Sequence, residues 1–191
     1  DKTGWSILAK ISRHKKVKEI PFIRNRRGEL DLTLYKPFIT NKNTGWRLVR
    51  GNMISENGVI DKNGEFVEIE SFLNKKSEDF KTNDYNKERL ICQQISNVDM
   101  QKRLKFVFSE KTDILGNSCN YIVSTRKQSD LKKLFFILNS ELLNWRFKIT
   151  SSNNHINNYE LDELPIVDLD SFELSDFSDD ETNETICKLY G

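Results

Sequence analysis

The spacing of apolar residues changes once along this chain, and that change limits what it can fold into. Up to about residue 124 they come in short runs, several of them alternating. From Ser129 onward Leu131, Leu134, Phe135 and Leu138, then Leu142, Leu143, Trp145 and Phe147, recur at three- and four-residue spacings, which is one face of a helix. The first pattern predicts strands over 19–23, 30–34, 46–49, 58–60, 65–69, 90–95, 104–108 and 121–124. Of these, 58–60 and 65–69 should pair as a hairpin through Asn63-Gly64, two residues that tolerate positive φ. The second pattern predicts two consecutive helices meeting near Asn139-Ser140, with Ser140 capping the second and Phe135, Phe136, Leu142 and Trp145 in the core. Residues 71–87 are polar without a period and are expected as loop or short helix, and Pro165 is expected to close the folded body. The class is α+β: a mixed, mostly antiparallel twisted sheet braced by two consecutive C-terminal helices.

A chain of 191 residues is long enough for one domain with its own core. The expected division is a body over 1–167 and an acidic tail or terminal helix over 168–191, where eight acids accompany a single base, Lys188. The opposite bias sits at the start: residues 1–52 hold thirteen bases and four acids, in a chain whose net charge is only +1. Clustered Lys and Arg on a folded surface suit a polyanion, because each phosphate neutralised releases counterions; an acidic protein partner is the alternative, with this segment as a basic docking face in an assembly module. No run approaches the roughly 18 apolar residues of a membrane span, and the first residues do not form a signal peptide. Cys92, Cys119 and Cys187 show no C-x-x-C spacing, so neither a disulfide framework nor a zinc site is expected. A cytoplasmic segment of a longer polypeptide fits these features.

The motifs of ATP, dinucleotide and triad chemistry are missing, and two isolated histidines, His14 and His155, make no catalytic or metal set. Glu29 and Asp31 alternate around Leu30 and read as a solvent-facing acid pair, with no second acid-x-Lys element to complete a Mg²⁺ site. No catalytic or metal residue is therefore expected in this chain. Arg24, Arg26 and Arg27 flank Gly28 in what reads as a polar turn between apolar runs. A guanidinium there can fork to guanine O6 and N7 or clamp a phosphate, and only the first use carries sequence information. Arg50 and Gly51 follow a strand, and Asn52 can bond a base edge or a phosphate; the competing view is a tight turn with a structural arginine. Lys15, Lys16 and Lys18, point charges on flexible stems, suit phosphates. Asn153 and Asn154 lie in a polar loop after the second helix and serve either DNA or the turn itself.

Several segments in fixed order carry a family resemblance: Arg27-Gly28-Glu29-Leu30-Asp31-Leu32-Thr33, Arg47-Leu48-Val49-Arg50-Gly51-Asn52-Met53-Ile54, Arg89-Leu90-Ile91-Cys92-Gln93-Gln94-Ile95-Ser96-Asn97, Leu138-Asn139-Ser140-Glu141-Leu142-Leu143-Asn144-Trp145 and Tyr159-Glu160-Leu161-Asp162-Glu163-Leu164-Pro165-Ile166. Together they resemble the TaqI-like C-terminal specificity domain of adenine-specific type II restriction-modification enzymes, related to the target-recognition domains of type I specificity subunits. The resemblance implies a target-recognition-domain-like fold that reads double-stranded DNA for a methyltransferase, with or without an endonuclease, and adds Arg47 to the DNA-contact candidates. It also implies that S-adenosylmethionine, and Mg²⁺ if DNA is cut, belong to the catalytic domain of the parent enzyme and not to this segment, whose partners are duplex DNA and that catalytic domain.

Overall fold

The computed structural model of the chain describes residues 2–178 and 180–191; Asp1 and Asp179, both counted among the acids above, lie outside the described residues. The chain is α+β. In order, its elements are α1 (Lys2–Ile11), β1 (Ile23–Arg27), β2 (Ile39–Thr40), β3 (Arg47–Val49), β4 (Ile54–Ser55), β5 (Gly58–Val59), β6 (Phe66–Val67), α2 (Ile69–Leu73), α3 (Glu78–Asn83), β7 (Leu90–Gln93), β8 (Phe106–Phe108), β9 (Asp113–Leu115), β10 (Cys119–Ser124), α4 (Gln128–Leu138), α5 (Glu141–Lys148), α6 (Asn158–Asp162) and α7 (Thr182–Tyr190). They fall into two compact units, one of Asp1–Asn25, Ser96–Leu104 and Ser124–Gly191, the other of Arg26–Ile95 and Lys105–Val123.

The first unit is mainly helical. The expected helix pair is present as α4 and α5, and the Ser140 hydroxyl caps α5 by accepting from the Leu143 N–H at 3.2 Å, satisfying a donor that the helix start leaves open. Leu131, Leu134, Ile137 and Leu138 of α4 and Leu143 and Phe147 of α5 are buried. Phe135, Phe136, Leu142 and Trp145 are only half-buried, so the apolar stripe is rotated from the one expected. Pro165 does not end the folded body: Ile166, Val167, Leu169 and Phe172 are buried beyond it, as are Ile186 and Tyr190 of α7. The Tyr190 hydroxyl donates to the Pro165 carbonyl at 2.7 Å. Asp170 of the acidic segment is tied down too, since Arg126 binds it together with Asp130 of α4 through its guanidinium.

The second unit holds the sheets. One runs β1-β10-β7-β8, with β10–β7 and β7–β8 antiparallel; a second runs β2-β6-β3-β9, where β6 pairs antiparallel with β2 and β3 while β3 and β9 run parallel; β4 and β5 form a hairpin. One apolar cluster gathers Val49, Ile54, Ile91, Val107, Leu115 and Tyr121. Another gathers Leu30, Leu48, Val67, Phe72, Phe80 and Ile114.

Local hydrogen bonding explains where strands differ from expectation. Of the expected strand over 19–23 only Ile23 is in one, as the first residue of β1: 17–19 form a 3-10 turn and Pro21 has no N–H for a ladder. Residues 30–34 are not a strand, because the Asp31 carboxylate accepts from the N–H groups of Thr33 and Leu34, both at 2.9 Å, the local competition for which aspartate is known. Arg24, Arg26 and Arg27 stand in strand β1, not in a turn. Asn63-Gly64 does form a turn, closed on Asp61, yet its flanks find other partners. The hairpin is instead β4–β5, where Gly58 takes φ +118°. Residues 71–87 contain two short helices, the second capped by Ser77.

Candidate nucleic-acid interface

In the second unit, two Arg-Gly steps from distant parts of the sequence press against one turn, Gly116-Asn117-Ser118, between β9 and β10. The Gly28 N–H donates to Cys119 O at 2.8 Å, and a Cβ on Gly28 would coincide with the Gly116 carbonyl. The Gly51 N–H donates to the Ser118 hydroxyl at 2.9 Å, and a Cβ there would overlap the Ser118 carbonyl. Glycine is required at both places because backbone meets backbone with no room for a side chain. The turn is fastened further by Asn117 N–H to Leu30 O at 2.9 Å, Gln94 N–H to Ser118 O at 2.9 Å, and the Asn117 side-chain amide to Asp31 Oδ2 at 3.1 Å. The N–H groups of Leu34 and Thr33, which donate to the Asp31 carboxylate, hold that carboxyl below the usual range, with smaller help from Arg27 and the Asn117 amide.

The arginines beside this turn differ in which edge of the guanidinium is occupied. A guanidinium has a side edge, Nε and Nη2, and an end edge, Nη1 and Nη2; each presents two parallel N–H donors that can fork to guanine O6 and N7 or to a phosphate, so the edge left open sets what an arginine can still bind. Arg26 spends its end edge on Asp84 (2.8 Å) and Asp79 (2.7 Å). Buried Arg89 spends its own on Glu29 (2.9 and 3.0 Å), so Glu29 is a core residue and not half of a solvent-facing acid pair. Arg27 is exposed and uses its side edge, Nε to Asn117 O at 2.8 Å and Nη2 to Gln94 Oε1 at 3.4 Å. Arg47 binds Asp113 by the side edge at 2.8 and 2.9 Å, and hydrogen bonding to that carboxylate raises its pKa further. Arg50 binds Glu65 the same way at 2.6 and 2.9 Å. Asn52, next to Gly51, is exposed, and its carbonyl accepts from Lys62 at 2.9 Å.

The first unit carries the other candidates. Lys15 is exposed, and Arg24 is half-buried in β1. Lys16 and Lys18 both bind the Glu163 carboxylate. Asn153 and Asn154 are exposed, but their side chains accept from the N–H groups of His155 (2.8 Å) and Val98 (2.9 Å). Their carbonyls accept from Arg103 (2.6 Å) and Ser96 (2.9 Å). Hydrogen bonds from Lys16 and then Lys18 pull the Glu163 carboxyl down from 4.5 to about 2. A carboxyl depressed in the folded state stabilises above its unfolded value and stops doing so as pH falls through the folded one. The stability difference between the chain and its Glu163→Gln variant should therefore be constant from neutral pH to about pH 5, as judged by the ordinary carboxyl range, then shrink and vanish near pH 2 in thermal melts. A difference that persists at pH 2 would place its origin outside this ion pair.

Gln94, Asn117, Lys62 and the carboxylates Asp113 and Glu65 were not among the sequence candidates. The one signal for the turn is Gly-Asn-Ser between two apolar runs; the arginine partners gave none, since Asp113 lies 66 residues from Arg47. Among the described residues no group of three or more His, Cys, Asp or Glu is placed to hold a metal ion, and no helix is long and apolar enough to cross a membrane. The acids nearest the turn do not fit a cation site, because Glu29, Glu65 and Asp113 each hold an arginine and Asp31 accepts from Thr33, Leu34 and Asn117. The sequence profile of the TaqI-like C-terminal specificity domain matches residues 47–166. Among curated proteins nothing matches the chain. The match covers more than half of the sequence and includes Arg47, the Arg50-Gly51 step and the turn at 116–118, so the chain belongs to the TaqI-like C-terminal specificity domain family, whose role in restriction-modification enzymes is DNA recognition.

Proposed function

We propose that this chain reads the base sequence of duplex DNA for an adenine-specific methyltransferase, with or without an attached endonuclease, and that catalysis, S-adenosylmethionine and any Mg²⁺ belong to the catalytic domain of that enzyme. The observation that carries this reading is the exposed Arg27 guanidinium, held by its side edge against the Asn117 carbonyl and Gln94 so that its end edge is left for a ligand. An arginine fixed in this way loses little further entropy on forking to a base, whereas a free surface arginine loses much. Asn52 and Lys62 extend the polar face of the same unit. Lys15, Lys16, Arg24, Asn153 and Asn154 of the first unit add phosphate contacts, which position the duplex without selecting its sequence. Recognition lies within residues 1–167, while the acidic segment 168–191 repels phosphate and takes no part.

Binding to a randomised duplex pool at low and moderate salt, with sequencing of the retained fraction, tests this. The expected result is an enriched motif whose binding weakens with salt. Arg27→Ala should relax preference at one base pair at a cost of about 1–3 kcal/mol, while Lys15→Ala weakens all sequences alike. Salt-dependent binding with no enrichment would leave a docking surface that does not read. No binding at low salt would favour an assembly module whose basic face meets an acidic protein.

A further inference from the structure

We infer that Arg50, braced by Glu65, reads a guanine in the major groove, and that Glu65 is the positioning residue that makes this possible; the inference rests on the DNA reading proposed above and goes beyond it by assigning a base. Arg50 and Glu65 sit in an open groove of about 590 Å³ in the second unit, lined also by Leu32, Thr33, Lys36, Thr40 and Asn41. Both side chains keep access to solvent there, 29% and 20% exposed. The two parallel bonds from Nε and Nη2 to the carboxylate fix the plane of the guanidinium. Nη1 has no partner among the described residues, and one N–H of Nη2 remains, so the free edge is the pair of donors that matches guanine O6 and N7. Adenine offers a donor where guanine has O6, and the fixed fork rejects it.

The remaining lining suits the surroundings of such a base. Lys36 is an exposed ammonium for a flanking phosphate, and Thr33, Thr40 and Asn41 supply hydroxyl and amide groups for a sugar-phosphate chain. Glu65 also cancels the charge of Arg50. The pair therefore adds direction without adding general attraction for DNA, unlike Lys15. Arg89 is buried and so is no reader, and Arg26 has spent its end edge on Asp84 and Asp79.

The test uses the whole chain, its Arg50→Ala and Glu65→Ala variants, and duplexes carrying the selected motif with 7-deazaguanine, which lacks the N7 acceptor, at each guanine in turn. The expected result is one guanine at which 7-deazaguanine weakens binding of the unaltered chain and not of Arg50→Ala, with Arg50→Ala losing a preference of about 5- to 140-fold at that position only. Glu65→Ala should lose preference at the same position while binding unrelated duplex as well as before or better, because a negative charge has been removed. A merely structural pair would instead lower binding to all sequences together. Parallel losses on every sequence, or no sensitive guanine, would overturn the assignment while leaving DNA reading intact. Absence of any selected motif for the unaltered chain would overturn the DNA reading and this assignment with it. If Arg50→Ala does not fold, Arg50→Lys, which keeps the charge and loses the fork, takes its place in the 7-deazaguanine scan.

Discussion

Replacing Glu29 by alanine is expected to lower stability by about 3–5 kcal/mol, the usual result of removing one partner of a buried ion pair. Against a total stability of about 5–15 kcal/mol for a typical domain, this is a large share. Glu29 and Arg89 side chains are 2% and 1% exposed. The carboxylate accepts from both terminal nitrogens of Arg89 and, at 3.0 Å, from the N–H of Leu115 in β9. Without it the guanidinium keeps one bond to the Asp113 carbonyl at 2.8 Å and its position over the Tyr121 ring, and no hydrogen-bonded counter-charge. Urea unfolding checks the loss. The double change Glu29→Leu with Arg89→Met should recover much of it, because two apolar groups of similar volume remove both desolvation costs. A loss under about 1 kcal/mol for Glu29→Ala would mean that water reaches the guanidinium and replaces the carboxylate.

The second large effect is expected from Gly28→Ala. A methyl group at this position has no vacancy to enter: it meets the Gly116 carbonyl and the Leu115 oxygen, which are backbone and cannot rotate away. Relief requires moving either β1 or the 116–118 turn, and overpacking of this kind costs about 1–3 kcal/mol or more. Movement of that turn also displaces the carbonyl of Asn117 on which Arg27 rests, so sequence preference should fall together with stability. Gly45→Ala serves as the comparison, since open space surrounds that position although its φ is +82°; it should lower stability only modestly, through backbone strain, and leave DNA preference unchanged. Selection of the enriched motif by Gly28→Ala at full strength would show that the turn and the reading surface are independent.

Much of the scaffold was legible because burial left a period in the sequence. Strands β3, β7, β8 and β10 are apolar runs in the chain, and α4 and α5 follow the leucine spacing, with Ser140 standing where a cap belongs. What escaped was structure whose cause is not apolar. Strand β1, Ile-Arg-Asn-Arg-Arg, has side chains too polar to show a sheet period, and the Asp31 turn is set by two hydrogen bonds that no hydrophobic pattern reports. At the site, Arg27, Arg50 and their glycines could be chosen from residue type and neighbours alone. Which guanidinium edge each arginine keeps free depends on carboxylates and carbonyls brought from 15 to 90 residues away, and only the fold supplies those.

The parallel pairing of β3 with β9, and the bridge from Leu30 to Gly116, carry a consequence for the order in which this chain acquires its structure. Such contacts cannot close until the loop between them has been drawn in, and chains rich in long separations fold slowly. During synthesis, which proceeds from the amino end at about 5–20 residues per second, both Arg-Gly steps emerge many residues before the turn that receives them. The surface that grips Arg27 is thus assembled late, after Cys119 has left the ribosome, and a nascent chain halted earlier presents its basic segment without the frame that aims it.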